Sequence, residues 1–66
     1  MITINNRDTL EWTPGMTVRD VLDAMGYTYV LITVTVNGEL VDDDDFDTFE
    51  VPDGAIMRAI HIHHGG

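Results

Sequence analysis

Val30-Leu31-Ile32-Thr33-Val34-Thr35-Val36 is β-branched at all but one position and runs directly into Asn37-Gly38. β-Branched side chains are stiff at χ1 and pack well on a pleated backbone, so this stretch specifies a strand. Asn-Gly is the leading pair for a two-residue hairpin turn, because both residues tolerate positive φ. Glu39-Leu40-Val41 is then the return strand. The period of two places Val30, Ile32, Val34 and Val36 on one face. The rest of the chain must cover that face.

Upstream, Met1-Ile2-Thr3-Ile4-Asn5 alternates as a half-buried strand should, with Ile2 and Ile4 together. Asn5-Asn6-Arg7-Asp8 is turn-rich and Thr9-Leu10-Glu11-Trp12 alternates again, which predicts a second, shorter hairpin. Thr13-Pro14-Gly15 ends it. A helix follows. Thr17 is a good N-cap, and Asp20 completes a capping-box-like pair at the positive helix end. Val18, Val21, Leu22 and Met25 form one apolar stripe, and Gly26 is placed for the left-handed residue that stops the helix. Tyr27-Thr28-Tyr29 connects it to the long strand.

Downstream lies the acid run Asp42-Asp43-Asp44-Asp45-Phe46-Asp47. The carboxylates at 43, 45 and 47 match the early spacing of a calcium loop. Thr48 stands where that loop needs Gly, however, and Gly54 where it needs Glu, which rejects the motif. A solvated acidic loop anchored by Phe46 or Phe49 is the favoured reading, with a docking surface for a basic partner as its functional counterpart. Val51-Pro52-Asp53-Gly54 is a turn. Residues 55–62 form the last strand, and its frame matters. Turning Ile56, Arg58, Ile60 and Ile62 inward would bury an arginine without a partner, which is expensive. The other frame turns Met57, Ala59 and His61 inward. It leaves Ile56, Arg58, Ile60 and Ile62 on an open face, as an apolar patch that marks a binding site.

The chain ends His63-His64-Gly65-Gly66. A Gly-Gly arm threads a channel too narrow for other residues, and a C-terminal carboxylate would sit at its tip. The bland reading is a frayed end. His61, His63 and His64 are not expected to hold a metal: His61 and His63 share one side, His64 lies opposite, and no fourth ligand converges. His63 and His64 are either solvated or hydrogen-bonded within a partner protein.

Composition narrows the function. Twelve acids stand against three arginines and no lysine, a formal net charge of −9. Such a chain cannot neutralise phosphates, so no nucleic-acid partner and no anionic membrane surface is expected. A basic protein partner is favoured instead. There is no cysteine, so thiol chemistry, disulfides and thiolate zinc sites are out, and without lysine there is no Schiff base. No apolar run approaches a membrane span of about 20 residues. No signal peptide is visible at Met1-Ile2-Thr3, and a cytoplasmic location is expected. Neither a nucleophile–base set nor a glycine-rich phosphate loop is present, so the chain does not read as an enzyme. Sixty-six residues make one small domain: a body over 1–62 and a tail over 63–66. Its fold class is α+β, a sheet with one helix across it.

At this point the sequence resembles the ubiquitin-like β-grasp sulfur carriers of the ThiS/MoaD type, and ThiS more closely by length. The resemblance rests on the N-terminal hairpin, Thr17-Val18-Arg19-Asp20-Val21-Leu22, Val36-Asn37-Gly38-Glu39-Leu40-Val41, Val51-Pro52-Asp53-Gly54 and the terminal Gly65-Gly66. Two departures stand out: Ala55 where the family usually has Asp, and His63-His64 where it has small or apolar residues. The resemblance implies a mixed sheet of four to five strands with one main helix across it. It implies that Gly66, with Gly65, is the site of adenylation and thiocarboxylate formation. Ile56, Arg58, Ile60, Ile62, His63 and His64 would contact partners. It further implies no bound cofactor, ATP being used by a ThiF/MoeB-like adenylating enzyme. The sulfur would pass to an acceptor synthase: thiazole synthase in thiamine biosynthesis, or a MoaE-like acceptor if the product is molybdopterin. A β-grasp interaction module with an inert Gly-Gly end is the reading from another class.

Overall fold

The computed structural model describes residues 1–27 and 31–62. Strands β1 (Ile2–Ile4) and β2 (Asp8–Leu10) precede helix α1 (Val18–Met25). Strands β3 (Ile32–Val36) and β4 (Glu39–Val41), a 3₁₀ turn (Asp43–Asp45) and strand β5 (Ile56–His61) follow. The strands form one sheet in the order β2-β1-β5-β3-β4. The central pair β1–β5 is parallel and every other pair is antiparallel. This is the β-grasp arrangement: the first and last strands meet in the middle, and each hairpin supplies one flank.

Both hairpins turn where the sequence places them. Val36 pairs with Glu39, so Asn37 and Gly38 alone make the turn, at φ of 51° and 82°. Between the paired Ile4 and Asp8 the chain takes three residues, of which Asn5 and Asn6 both have φ of 55°. Strand β2 ends at Leu10 rather than continuing to Trp12. The register explains this: Leu10 already faces Ile2, and β1 offers almost no backbone beyond it. Trp12 leaves the sheet, and its Nε1–H donates to the Val51 carbonyl at 2.7 Å.

Helix α1 is closed at both ends. The Thr17 hydroxyl accepts from the Asp20 amide and the Asp20 carboxylate accepts from the Thr17 amide, a complete capping box. Gly26 adopts the left-handed conformation at φ 74° and donates back to the last turn. The acidic loop docks on the N-terminal end of the helix. Val18 N–H donates to the Phe49 carbonyl at 3.1 Å, and Arg19 N–H to the Phe46 carbonyl at 2.9 Å. These carbonyls satisfy first-turn amides that would otherwise lack acceptors. The Arg19 guanidinium holds Asp47 at 3.0 Å, and that hydrogen bond, with the Asp47 charge, raises the Arg19 pKa above its usual value. Phe46 is the buried anchor of this loop and Phe49 a half-buried second one.

The core lies between α1 and one face of the sheet. Val18, Val21 and Leu22 from the helix meet Ile2, Ile4, Val34, Val36, Val41, Met57 and Ala59 from the strands. No polar side chain is buried among the described residues. Val30, read above as the start of the long strand, lies outside the described residues, as do Thr28 and Tyr29.

Candidate functional site

Strand β5 leads to the tail, and its burial alternates residue by residue. Ala55, Met57 and Ala59 are buried and His61 is half-buried, while Ile56, Arg58, Ile60 and Ile62 are exposed. The open-face frame is therefore the one adopted. Its cause is local: Met57 sits in register between Ile4 and Val36, the middle of the core row, so its neighbours must point outward.

The same registers assign the rest of the open face. Thr3 is opposite Ile56, Thr35 opposite both Arg58 and Leu40, Thr33 opposite Ile60, and Thr9 opposite Thr3. Ile56, Ile60 and Leu40 remain 57%, 55% and 63% exposed. Leu40 belongs to this patch although the sequence reading had not included it. The signal was there, since a two-residue turn at Asn37-Gly38 fixes Leu40 across from Thr35. The strand residues of this face carry no carboxylate. The two acidic strand residues, Asp8 and Glu39, pair with the inward-facing Ile4 and Val36 and lie at the sheet edges toward the helix side. In a chain of net charge −9, a face whose strand residues are threonines, aliphatic side chains and one arginine, with no acid, is the outstanding surface feature.

Strand β5 is held firmly on both edges. On the β1 side, Thr3 N–H donates to the Ala55 carbonyl at 3.0 Å and Asn5 N–H to the Met57 carbonyl at 2.9 Å. Strand β1 then ends, and the Asn5 side chain takes over its role. Asn5 Oδ1 accepts from Ala59 N–H at 2.8 Å, and Asn5 Nδ2 donates to the Ala59 carbonyl at 3.1 Å. On the β3 side, Asn37 exchanges two hydrogen bonds with Ile56, one through its own Oδ1. The ladder continues to His61 opposite Ile32, and Ile62 N–H donates to the Leu31 carbonyl at 2.6 Å. Tyr27 packs edge-on against His61 with ring centroids 5.9 Å apart. The strand that leads into residues 63–66 is thus fixed to the body up to Ile62.

Asn5 was not singled out from sequence, because its partner lies 54 positions away and no periodicity reports such a contact. It serves twice, since asparagine tolerates the left-handed conformation that its φ of 55° requires. Asn5→Gly keeps that conformation and removes the clamp, together with a long hydrogen bond of 3.5 Å from Asn5 Nδ2 to the Tyr27 hydroxyl. It should cost about 1–2 kcal/mol through the under-satisfied Ala59 groups, read as a lower urea midpoint at unchanged m-value.

Gly65, Gly66, His63 and His64 lie outside the described residues. No group of three or more potential metal ligands occurs among the described residues, and no helix among them is long and apolar enough to cross a membrane.

Comparison with known proteins places this geometry. The model of the ThiS family matches residues 2–66. The crystal structure of a thiamine biosynthesis protein (ThiS) from Geobacter metallireducens superposes with a TM-score of 0.78 at 27% identity, covering 98% of this chain and 97% of that one. A solution structure of a thiamine biosynthesis protein from the same organism gives a TM-score of 0.75 at 27% identity, covering 98% and 86%.

Proposed function

The chain belongs to the ThiS family, small sulfur carriers of thiamine biosynthesis that are not enzymes, and from that premise we propose that its Gly66 carboxylate is the loaded group. The family match, which extends over residues 2–66 and so includes the Gly65-Gly66 end, carries this reading. The described fold supports it: a firmly held final strand sets the position from which a short arm departs.

The chemistry follows from the poor electrophilicity of a carboxylate. A ThiF-like adenylating enzyme directs the Gly66 carboxylate onto the α-phosphorus of ATP, forming the acyl-adenylate and releasing pyrophosphate. Sulfide then attacks the acyl carbon, the carbon–oxygen bond to AMP breaks, and the thiocarboxylate and AMP result. With a persulfide donor the first product is an acyl disulfide, whose sulfur–sulfur bond a second thiol cleaves, that thiol ending as a disulfide. The thiocarboxylate delivers its sulfur to the acceptor, a thiazole synthase. The carrier supplies the carboxylate and its placement, and ATP binds to the partner. Gly65 keeps the arm narrow. Ile56, Arg58, Ile60 and Ile62 supply the docking face, and His63 and His64 hydrogen-bond within the adenylating enzyme.

Intact mass tests this. The chain is incubated with ATP, the adenylating enzyme of the thiamine pathway from the same organism, and sulfide. The expected product is heavier by the replacement of one oxygen by one sulfur. No gain, with the enzyme shown to hydrolyse ATP, would move the chain to the class of interaction modules.

A further inference from the structure

Among the described residues, Arg58 is the cation that the fold leaves uncommitted. Arg19 is paired with Asp47 at 3.0 Å, Arg7 lies 3.8 Å from Asp8, and the N-terminal ammonium is 3.1 Å from Asp53. The Arg58 guanidinium has no hydrogen bond or ion pair among the described residues. It stands exposed in the open face, between Ile56 and Ile60 on its own strand and across Thr35 from Leu40. In water the guanidinium is solvated and costs nothing. Once a partner covers the aliphatic side chains beside it, that solvation is lost, and an unpaired buried charge is strongly disfavoured.

We propose that the surface of the adenylating enzyme that covers this face presents a carboxylate to Arg58 from within an apolar patch, with basic groups outside it facing the acidic remainder of the chain. The identity of the partner rests on the carrier reading above. The charge pattern does not: it is a cationic centre among strand residues that carry no acid, on a body of net charge −9. Polyanions do not fit, because the surrounding carboxylates repel them. A second copy does not fit either, since a two-fold pairing centred on Arg58 would bring it against its own equivalent, and any pairing would bring two bodies of −9 together. A purely apolar surface is rejected by the desolvation of Arg58. The arginine thus acts as a filter, admitting a partner that carries the matching acid and excluding other sticky surfaces.

The test is calorimetric titration of the chain into the thiamine-pathway adenylating enzyme of the same organism, at physiological salt. Arg58→Gln should weaken binding by about 30-fold, the loss expected for one partner of a desolvated pair, and Arg58→Glu by more. Arg58→Lys should fall between, since lysine keeps the charge and loses the planar fork. Reversing the facing enzyme carboxylate to arginine should restore binding of Arg58→Glu. Thermal stability of all three variants should match wild type, because Arg58 supports nothing in the free chain. Binding of Arg58→Glu within about fivefold of wild type, the most a solvated surface pair supplies, overturns the proposal even if loading proceeds. Absence of wild-type binding overturns it together with the carrier reading. Binding that depends on Arg58 without any mass gain upholds the docking chemistry and sinks the carrier reading alone.

Discussion

Deleting Gly66, or adding one alanine after it, is expected to abolish sulfur loading outright while leaving the fold intact. The fold is spared because, among the described residues, the ladder that holds β5 runs to the Ile62 amide and the core to Ala59, and both variants leave these in place. The loading is lost because each residue of extended chain moves the terminal carboxylate by about 3.5 Å. A misplacement of about 1 Å at a reacting group can already cost about 100-fold in rate. The added alanine also places a Cβ where the glycine arm has none. Both variants should therefore show no sulfur-for-oxygen mass gain under conditions that load the wild type fully, with unchanged urea midpoints. An extended chain that still loads would show that the carboxylate is not positioned by the body at all. A chain whose partner binding is indifferent to both changes, and which never loads, would be an interaction module with an inert end.

How much of this could be read from residues alone depends on the range of the interaction concerned. The Asn37-Gly38 turn, the Thr17–Asp20 capping box and the Gly26 stop are local, and each formed where the sequence placed it. The frame of β5 was legible for an energetic reason, since only one parity keeps Arg58 in water. The limits of β2 were not, because they depend on where β1 begins, a fact of pairing rather than of periodicity. The Asn5 clamp on Ala59 was hidden for the same reason, being a contact between the two ends of the chain. The acid run was read correctly as a phenylalanine-anchored loop. Its other task, capping the helix with the Phe46 and Phe49 carbonyls, involves backbone atoms that no residue type announces.

Met57→Ala is expected to remove most of the stability of the domain. Met57 is fully buried and stands between the one parallel pairing of the sheet and an antiparallel one, opposite Ile4 on one side and Val36 on the other. Truncating a buried methionine to alanine costs about 2–5 kcal/mol, from lost transfer energy and the cavity left behind. A domain of 66 residues has only about 3–10 kcal/mol in total. The melting temperature should fall by more than about 10 °C, and a chain at the lower end of that range would be unfolded at ambient temperature. Met57→Leu preserves volume and should cost less than about 1.5 kcal/mol. The contrast separates cavity formation from any chemical role of the thioether. It also bears on function, because Met57 fixes which side chains of β5 face outward. In Met57→Leu the face around Arg58 persists, and adenylating-enzyme binding should match wild type. In Met57→Ala, binding measured below the melting transition should weaken only in proportion to the unfolded fraction. A loss of binding in Met57→Ala that exceeds that fraction would mean that the open face depends on core packing for its shape as well as for its frame.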